Sequence, residues 1–206
     1  MIVIGLTGGI ASGKTQVTNY LAEMGAPVMD ADVVAREVLS VGQPAYHEVV
    51  TVFGPEVLKD DGQIDRRWLG RCIFHDKDAR ERLNRITHPR IQCIIQERVE
   101  EWRRAGASAV VVSAPLLLES GMRCMVDEVW VVFATPDVQI SRLMARDGYS
   151  TEEAQARLDA QMALEEKLRH ADRVIDNDGS WEETRVQVER MWREVKRGGG
   201  RGDKAH

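Results

Sequence analysis

The sequence predicts an α/β domain with a five-stranded parallel sheet, and three observations support this prediction. Short apolar runs, mostly rich in Val and Ile and without polar alternation, are typical of strands covered on both faces. Long helical patterns separate these runs, as right-handed βαβ units require. A glycine-rich segment joins the first run to the first helical pattern. The predicted strands are Ile2–Leu6, Pro27–Met29, Ala109–Ser113, Glu128–Phe133 and Arg173–Ile175.

The segment after the first strand reads Gly-Gly-Ile-Ala-Ser-Gly-Lys-Thr over residues 8–15, which is the phosphate-loop pattern G-x-x-x-x-G-K-[ST]. Its glycines let backbone N–H groups surround a polyphosphate, and the following helix adds a partial positive charge. Lys14 is placed to reach the β- and γ-phosphates, and the Thr15 hydroxyl to ligate Mg²⁺. The alternative is an ordinary glycine-rich turn, but the strand and helix on either side favour the nucleotide site. The expected ATP contacts here are Gly8, Gly9, Ala11, Ser12, Gly13, Lys14, Thr15 and Gln16.

Two carboxylates, Asp30 and Asp32, follow the second predicted strand. That strand is expected beside the first, so its end opens next to the phosphate loop. A carboxylate there can orient Mg²⁺-bound water or accept the proton of an attacking hydroxyl. Their i, i+2 spacing points them apart in a strand or loop, so they need not share a role. The alternative for one of them is to cap the helix predicted over Val33–Leu39.

The long interval between Asp30 and Ala109 has little strand character. We expect several helices here, including a long pair broken at His88-Pro89. The interval is too long for a simple crossover. It therefore predicts a helical insertion over about residues 31–107 that carries the second substrate, with the core formed by residues 1–30 and 108–195.

A helix is predicted to begin at Pro136, because Thr135 offers a cap before a first-turn proline. Arg142 and Arg146 lie four residues apart and share one face of this helix. Arginines over a transferring phosphoryl group stabilise its charge, and the alternative is a solvated basic face paired with acids. Residues 147–150 break the helical pattern, which predicts a closing lid over about residues 137–165.

Asn177 follows the last predicted strand, in a loop expected near the phosphate loop. It is a candidate for reading adenine, and the alternative is a simple turn residue, because Asn177-Asp178-Gly179 is good turn chemistry. After this loop the sequence predicts one more helix, with a capping box at Ser180. The Gly-rich, basic segment 196–206 is predicted to be a disordered tail.

The composition limits the partners. The 206 residues are 43% hydrophobic and 30% charged, which fits one compact domain, and their formal net charge is −5. An acidic chain is a poor general binder of nucleic acid or anionic membranes, so any affinity for phosphate must be local. We expect neither a nucleic-acid nor a membrane partner, and the sequence leaves the oligomeric state open.

Several motifs that are typical of other protein classes do not occur in the sequence. The cysteines Cys72, Cys93 and Cys124 form no C-x-x-C pair, and the N-terminus has no signal-peptide pattern, which predicts reduced thiols and a cytoplasmic location. No N-K-x-D motif for guanine occurs. The third strand ends at Ser113-Ala114-Pro115, without the aspartate that often helps to hold Mg²⁺ in phosphate-loop proteins.

Taken in order, the motifs resemble those of the dephospho-coenzyme A kinase family across residues 1 to 192. This resemblance implies a three-layer P-loop NTPase fold, with a five-stranded parallel sheet, a helical acceptor-binding insertion and a small helical lid. Two departures are Gln16, where a second hydroxyl residue is usual, and Val41 in the segment 41–44, where the family has Pro-Gly-x-Pro. The matching motifs are Gly5 to Thr15, Asp30-Ala31-Asp32 with Ala35-Arg36, Asp61-Gly62 with Ile64-Asp65-Arg66, His88-Pro89 with Ile91, Pro115 to Glu119, Gln139 with Arg142 and Arg146-Asp147, Gln161, and Ala171-Asp172 with Val174 to Asn177.

The resemblance also implies a reaction. ATP binds the phosphate loop with Mg²⁺ on Thr15, and the ribose 3′-hydroxyl of dephospho-coenzyme A attacks the γ-phosphorus. Asp32 is the implied general base, Lys14 and Arg142 hold the migrating charge, and Asn177 lies on the adenine side. The implied acceptor-site residues are Thr7, Asp32, Arg66, His88, Pro115, Leu116 and Leu117.

Two other functions are weighed against this one. A different phosphate-loop small-molecule kinase, such as one acting on nucleoside monophosphates, would show an arginine pattern for the acceptor phosphate that is not evident here. A nucleotide-gated switch would need switch threonine and glutamine elements, which are also not found.

Overall fold

The structure is a computed structural model that describes residues 1–198, apart from the side chain of His75. Its strands are β1 (Ile2–Gly8), β2 (Val28–Asp30), β3 (Ala109–Ser113), β4 (Glu128–Phe133) and β5 (Arg173–Asp176). Its α-helices are α1 (Lys14–Glu23), α2 (Ala31–Val38), α3 (Pro44–Phe53), α4 (Arg66–His75), α5 (Lys77–Arg104), α6 (Pro136–Asp147), α7 (Thr151–Asp159), α8 (Leu164–Arg169) and α9 (Trp181–Gly198). Short 3₁₀ helices cover Pro55–Val57 and Met122–Met125.

The five strands form one sheet in the order β2-β3-β1-β4-β5. The expectation that the second strand lies beside the first is wrong, because β3 lies between β2 and β1. β1 pairs in parallel with both β3 and β4, and β4 pairs in parallel with β5. The predicted five-stranded parallel sheet is thus confirmed. β1 is the central strand, so the loop that follows it emerges in the middle of the carboxyl edge, where open α/β sheets bind their ligands.

The two faces of β1 pack differently. On one face, Ile4 and Leu6 are fully buried in a core shared with α1 and α9. On the other face, Gly5 leaves space that the side chain of Leu117 fills, because a Cβ on Gly5 would lie 2.8 Å from Leu117 Cδ2. β1 is therefore covered on both faces, as its unalternating apolar sequence predicts.

The chain divides into two units. The first consists of Met1–Met29 with the chain from Val99 onward and contains most of the sheet; the second is the helical segment Asp30–Arg98. Within the second unit, α4 begins at an N-cap aspartate: the Asp65 carboxylate accepts hydrogen bonds from the backbone N–H groups of Arg67 and Trp68. These bonds also hold the pKa of Asp65 below its usual value.

The predicted helix break at His88-Pro89 is wrong. α5 runs without interruption from Lys77 to Arg104 and contains Pro89. Proline removes one N–H donor from the helical ladder. Ile86 and Ile95 are buried on either side of it, and this packing favours a continuous helix over a break.

The helix ends of the first unit largely follow the sequence. Pro136 begins α6 as predicted, but the hydroxyl of Thr135 donates to the Asp178 carboxylate and makes no cap bond. α7 begins with the predicted capping box between Ser150 and Glu153. α9 extends to Gly198, so the predicted disorder is wrong for residues 196–198. The remainder of the predicted tail, residues 199–206, lies outside the described residues. Within residues 1–198, no helix is both long and apolar enough to cross a membrane.

Candidate active site

The loop after β1 has an unusual backbone. Ala11 has a φ of 57° and Gly13 a φ of 92°, both in the left-handed region. Within residues 1–198, Ala11 is the one non-glycine residue with a positive φ. Such conformations persist where the surroundings hold them, and they are concentrated at ligand-binding sites. They wind the loop tightly between β1 and α1.

The first turn of α1 follows this loop directly. α1 starts at Lys14 directly after Gly13, and the Gly13 N-cap supplies no side-chain hydrogen bond. The positive end of the helix therefore faces the loop without a competing side-chain cap, which suits a bound anion. Lys14 Nζ donates to Ser113 Oγ at 2.6 Å, so the lysine lies at the end of β3. Thr15 and Gln16 are exposed in the same turn.

The glycines of the loop are in close contact with neighbouring side chains. A Cβ on Gly13 would lie 2.0 Å from Asn177 Nδ2, and a Cβ on Gly8 would lie 2.5 Å from Ser12 Oγ. A Cβ on Gly9 would lie 2.8 Å from Gln139 Nε2. Gly13 is thus favoured by contact as well as by conformation, whereas Gly8 and Gly9 are favoured by close contact alone, and this tight packing shapes the loop.

Arg142 reaches from α6 to the loop. Its Nη2 donates to the carbonyl of Asn177 at 2.7 Å, whereas Nη1 lies 3.4 Å from the carbonyls of Ala11 and Ser12. The longer contacts are weak, so Nη1 is loosely held beside the loop. Arg146, by contrast, pairs with Asp147 at 2.7 Å and its side chain is 64% exposed. The functional interpretation therefore fits Arg142, and the solvated-face alternative holds for Arg146.

Asn177 is buried and engaged at both ends of its carboxamide. Nδ2 donates to the Ser12 carbonyl at 2.7 Å, and Oδ1 accepts from the Thr184 hydroxyl at 2.8 Å. Its backbone carbonyl also accepts the bond from Arg142. Asn177 therefore holds the phosphate loop through the Ser12 carbonyl.

Two residues that the sequence analysis assigned no role, Gln161 and Lys167, lie against this region. Gln161 Oε1 accepts a hydrogen bond from the backbone N–H of Ile10 at 2.8 Å. Lys167, on α8, is fully buried and donates to the Pro115 carbonyl at 3.1 Å and to Glu119 at 2.7 Å. Neither contact has a local sequence signal, because each joins segments far apart in the chain.

Two side chains hold the segment after β3 by hydrogen bonds to the Pro115 carbonyl. The buried Thr7 hydroxyl, at the end of β1, donates to the same Pro115 carbonyl at 3.1 Å. Leu117 is fully buried over Gly5, whereas Leu116 is 52% exposed. Thr7 and Leu117 therefore hold this segment in place, and Leu116 is its accessible side chain.

The candidates in the helical unit are more exposed. Asp30 Oδ1 accepts from the backbone N–H of Asp32 at 2.8 Å, which confirms the capping alternative for Asp30. Asp32 itself is exposed in the first turn of α2. Asp30 therefore has a structural role at the start of α2, and Asp32 is the stronger candidate for proton transfer.

Arg66 and His88 also belong to the helical unit. Arg66 Nη2 donates to the Arg36 carbonyl at 3.1 Å. Partial burial and the nearby Arg36 charge both lower the pKa of Arg66, so these two cations repel each other and favour an anion between them. His88 is half-buried, and this burial lowers its pKa, which favours the neutral imidazole. An uncharged imidazole can both donate and accept a hydrogen bond.

The donor set fits a magnesium ion brought by a nucleotide. Within the described residues, no three His, Cys, Asp or Glu side chains form a group that could hold a metal. Mg²⁺ in phosphoryl-transfer sites usually keeps several waters and binds the substrate phosphates with one or two protein ligands. The exposed Thr15 hydroxyl at the start of α1 is such a ligand.

A glycine-rich loop at the central strand of a parallel sheet, with a lysine and an arginine beside it, defines a P-loop kinase. Solved structures agree on the fold. A shikimate kinase from Acinetobacter baumannii matches with a TM-score of 0.56 at 15% identity, covering 98% of this chain and 96% of the other. This likeness shows the fold alone.

Closer similarity gives the family. The family model described as dephospho-CoA kinase matches residues 2–183. A dephospho-CoA kinase from Moorella thermoacetica is 54% identical over 198 residues, which cover 96% of this chain and 93% of the relative. The solved dephospho-CoA kinase from Campylobacter jejuni is 31% identical, with a TM-score of 0.73 and coverage of 95% of this chain and 98% of that one.

The chain belongs to the dephospho-CoA kinase family. The reaction of this family is the final step of coenzyme A biosynthesis, and it uses ATP with Mg²⁺.

Proposed function

We propose that this chain transfers the γ-phosphoryl group of ATP to the ribose 3′-hydroxyl of dephospho-coenzyme A, giving coenzyme A and ADP. The observation that supports the proposal is the loop of residues 8–15, which contains Lys14 and is held by Asn177 with Arg142 beside it. The chain that carries this loop belongs to the dephospho-CoA kinase family. Such a loop binds a polyphosphate through its backbone N–H groups.

On the nucleotide side, Lys14 and Arg142 hold the charge of the migrating group. Lys14 contributes its ammonium near the end of β3, and Arg142 contributes the loosely held Nη1. Phosphoryl transfer depends mainly on positioning and charge stabilisation, so fixed cations are the chief requirement. Asn177 acts by holding the Ser12 carbonyl, which keeps the loop in its binding shape.

Thr15 is the residue that would hold Mg²⁺. When bound, this ion neutralises phosphate charge as the transfer proceeds. The chain itself contributes the hydroxyl ligand at the positive end of α1.

On the acceptor side, Asp32 accepts the proton of the attacking hydroxyl. An exposed carboxylate is sufficient for this role, because a loose transition state demands little deprotonation before attack. Arg66, His88 and the exposed Leu116 bind the acceptor, with Arg66 and its neighbour Arg36 suited to acceptor phosphates. Thr7, Pro115 and Leu117 shape the segment that presents Leu116.

The same proposal assigns roles to larger segments. Residues 31–107 form the acceptor-binding insertion, residues 1–30 and 108–195 the core, and residues 137–165 a lid. A lid fits the break between α6 and α7, where Gly148 has a φ of 70°. We place the protein in the cytoplasm, because Cys72, Cys93 and Cys124 are all free thiols. Cell fractionation tests that location.

The test is acceptor-dependent ADP release, with the product identified by mass. Dephospho-coenzyme A should raise the rate of ADP release and gain one phosphoryl group at the ribose. Shikimate and nucleoside monophosphates serve as comparison acceptors, and Lys14→Ala as the inactive control. Phosphorylation of another acceptor in preference, or ADP release that no acceptor changes, would contradict the proposal and support a different kinase or a switch.

A further inference from the structure

Gln161 forms a hydrogen bond with the backbone of the phosphate loop. Gln161 lies in the short connection between α7 and α8, and its Oε1 accepts the Ile10 N–H at 2.8 Å. Only the oxygen of a carboxamide accepts from an N–H, so this bond fixes which end of the amide faces Ile10. The bond ties the α7–α8 connection directly to the backbone of the loop.

The other end of the same carboxamide, Nε2, is a hydrogen-bond donor. Within residues 1–198, no atom accepts a hydrogen bond from Gln161 Nε2. Because the amide is planar and rigid, fixing Oε1 on the Ile10 N–H also holds Nε2 beside the loop. The structure thus contains a neutral donor, positioned by the loop itself.

The location of Gln161 indicates which phosphate that donor can meet. Lys167 anchors α8 to the Pro115 carbonyl, two residues beyond Ser113, which holds Lys14 Nζ. The α7–α8 connection is therefore held at Ile10, and the helix that follows it is held at Pro115, close in sequence to the Ser113 partner of Lys14. Lys14 is the group that reaches the β- and γ-phosphates, whereas the α/β-phosphates lie on the loop N–H groups.

We propose that Gln161 is a further catalytic residue, whose Nε2 donates to the oxygens of the transferring γ-phosphoryl group. This inference rests on the proposed ATP site in the loop. In the transfer, the acceptor oxygen bonds to the γ-phosphorus, its proton passes to Asp32, and the bond to the β–γ bridging oxygen breaks with its electrons leaving on ADP. Gln161 gains and loses no proton and stabilises the oxygen charge as a fixed donor.

The experiment compares Gln161→Ala and Gln161→Glu with Gln155→Ala. Gln155 lies on α7, where its Nε2 donates to Asp159 at 2.8 Å, so it is a glutamine of the same region without contact to the loop. We expect Gln161→Ala to lower kcat by about 10- to 100-fold, at or below the range for a single oxyanion donor. Gln161→Glu should lower it further, because a carboxylate repels the phosphoryl oxygens. Gln155→Ala should match the wild type.

Binding measurements separate phosphoryl contact from loop support. Gln161→Ala should weaken binding of a non-hydrolysable ATP analogue and leave ADP affinity unchanged. Equal losses for the analogue and ADP, or an unchanged kcat, would overturn the proposal. If Gln161→Ala unfolds, the same comparison with the isosteric Gln161→Glu decides. Lys14→Ala tests the proposed ATP site separately. If the loop does not bind ATP, this variant should leave the affinity for ATP unchanged.

Discussion

The phosphate loop and the candidate residues of the helical unit are built in different ways. Side chains from four other segments contact the loop or Lys14, through Ser113, Arg142, Gln161 and Asn177. Asp32 and Arg66 are exposed on their helices, and His88 is half-buried. The phosphate loop is thus tied to the packed interior, whereas the proposed acceptor residues of the helical unit are accessible. Substitutions around the loop should therefore alter stability and activity together, and those in the helical unit chiefly activity.

The sharpest test of this difference is Asp32→Asn. We expect kcat to fall by about 10²- to 10⁴-fold, the range for loss of a general base. The midpoint of thermal unfolding and the affinity for ATP should stay close to wild type, because the side chain is exposed. Steady-state kinetics, calorimetric titration and circular dichroism measure the three quantities.

Asp30→Asn is the matched control for this change. Asparagine caps a helix as well as aspartate does, so the α2 cap is retained and kcat should remain near wild type. Near-normal turnover of Asp32→Asn would remove Asp32 from the role of base.

On the loop side, the largest stability effect is expected for Lys167→Met. The Glu119 carboxylate, whose side chain is 23% exposed, would lose its ammonium partner. We expect a loss of about 3 kcal/mol in the free energy of unfolding, at the low end for breaking a buried ion pair because Glu119 retains some hydration. Urea denaturation measures it.

A double variant tests the cause of that loss. Lys167→Met with Glu119→Gln removes the unpaired charge, so it should recover part of the stability lost by Lys167→Met alone. A double variant whose loss equals the sum of both single losses would show that the ion pair is not responsible.

Asn177→Ala should have a smaller effect on both properties. It leaves the buried Ser12 carbonyl and Thr184 hydroxyl without one partner each, which costs about 1–3 kcal/mol. KM for ATP should rise with the loss of loop support. Asn177→Asp keeps the acceptor for Thr184 and loses only the donor to Ser12, so its KM for ATP should rise as well. If ATP binding is unchanged in both variants, Asn177 does not hold the loop.

The smallest expected effect is a pH dependence that comes from His88. Burial lowers its pKa below the usual 6.5. As the pH falls through 6.5, the unfolded chain takes up this proton before the folded chain does, so stability present above 6.5 declines toward the lower folded pKa. His88→Gln should therefore lose less stability between pH 7.5 and 5.5 than the wild type. Urea midpoints measure this, with exposed His170→Gln as the control; an identical decline in wild type and His88→Gln would contradict it.

The strands and the loop could be predicted because their signals are local. Unalternating apolar runs indicate buried strands, and the Lys14-Thr15 pair follows a fixed glycine spacing. The capping box at Ser150 is equally local and is confirmed. In each case a few neighbouring residues determine the geometry.

The rest depends on contacts that spacing does not reveal. Arg142 and Arg146 share a helix, yet only Arg142 meets the loop. Lys167 reads as one more charged residue in a helical pattern, although it is fully buried. The continuous helix through Pro89 likewise depends on packing, which overrides the local preference of proline.

The left-handed Ala11 has a thermodynamic consequence. A glycine at this position could adopt the same φ without strain, but it would also populate many other backbone conformations before the nucleotide binds. The methyl group of alanine restricts these conformations. Because Ala11 already has the left-handed φ, it loses less conformational entropy when a ligand binds.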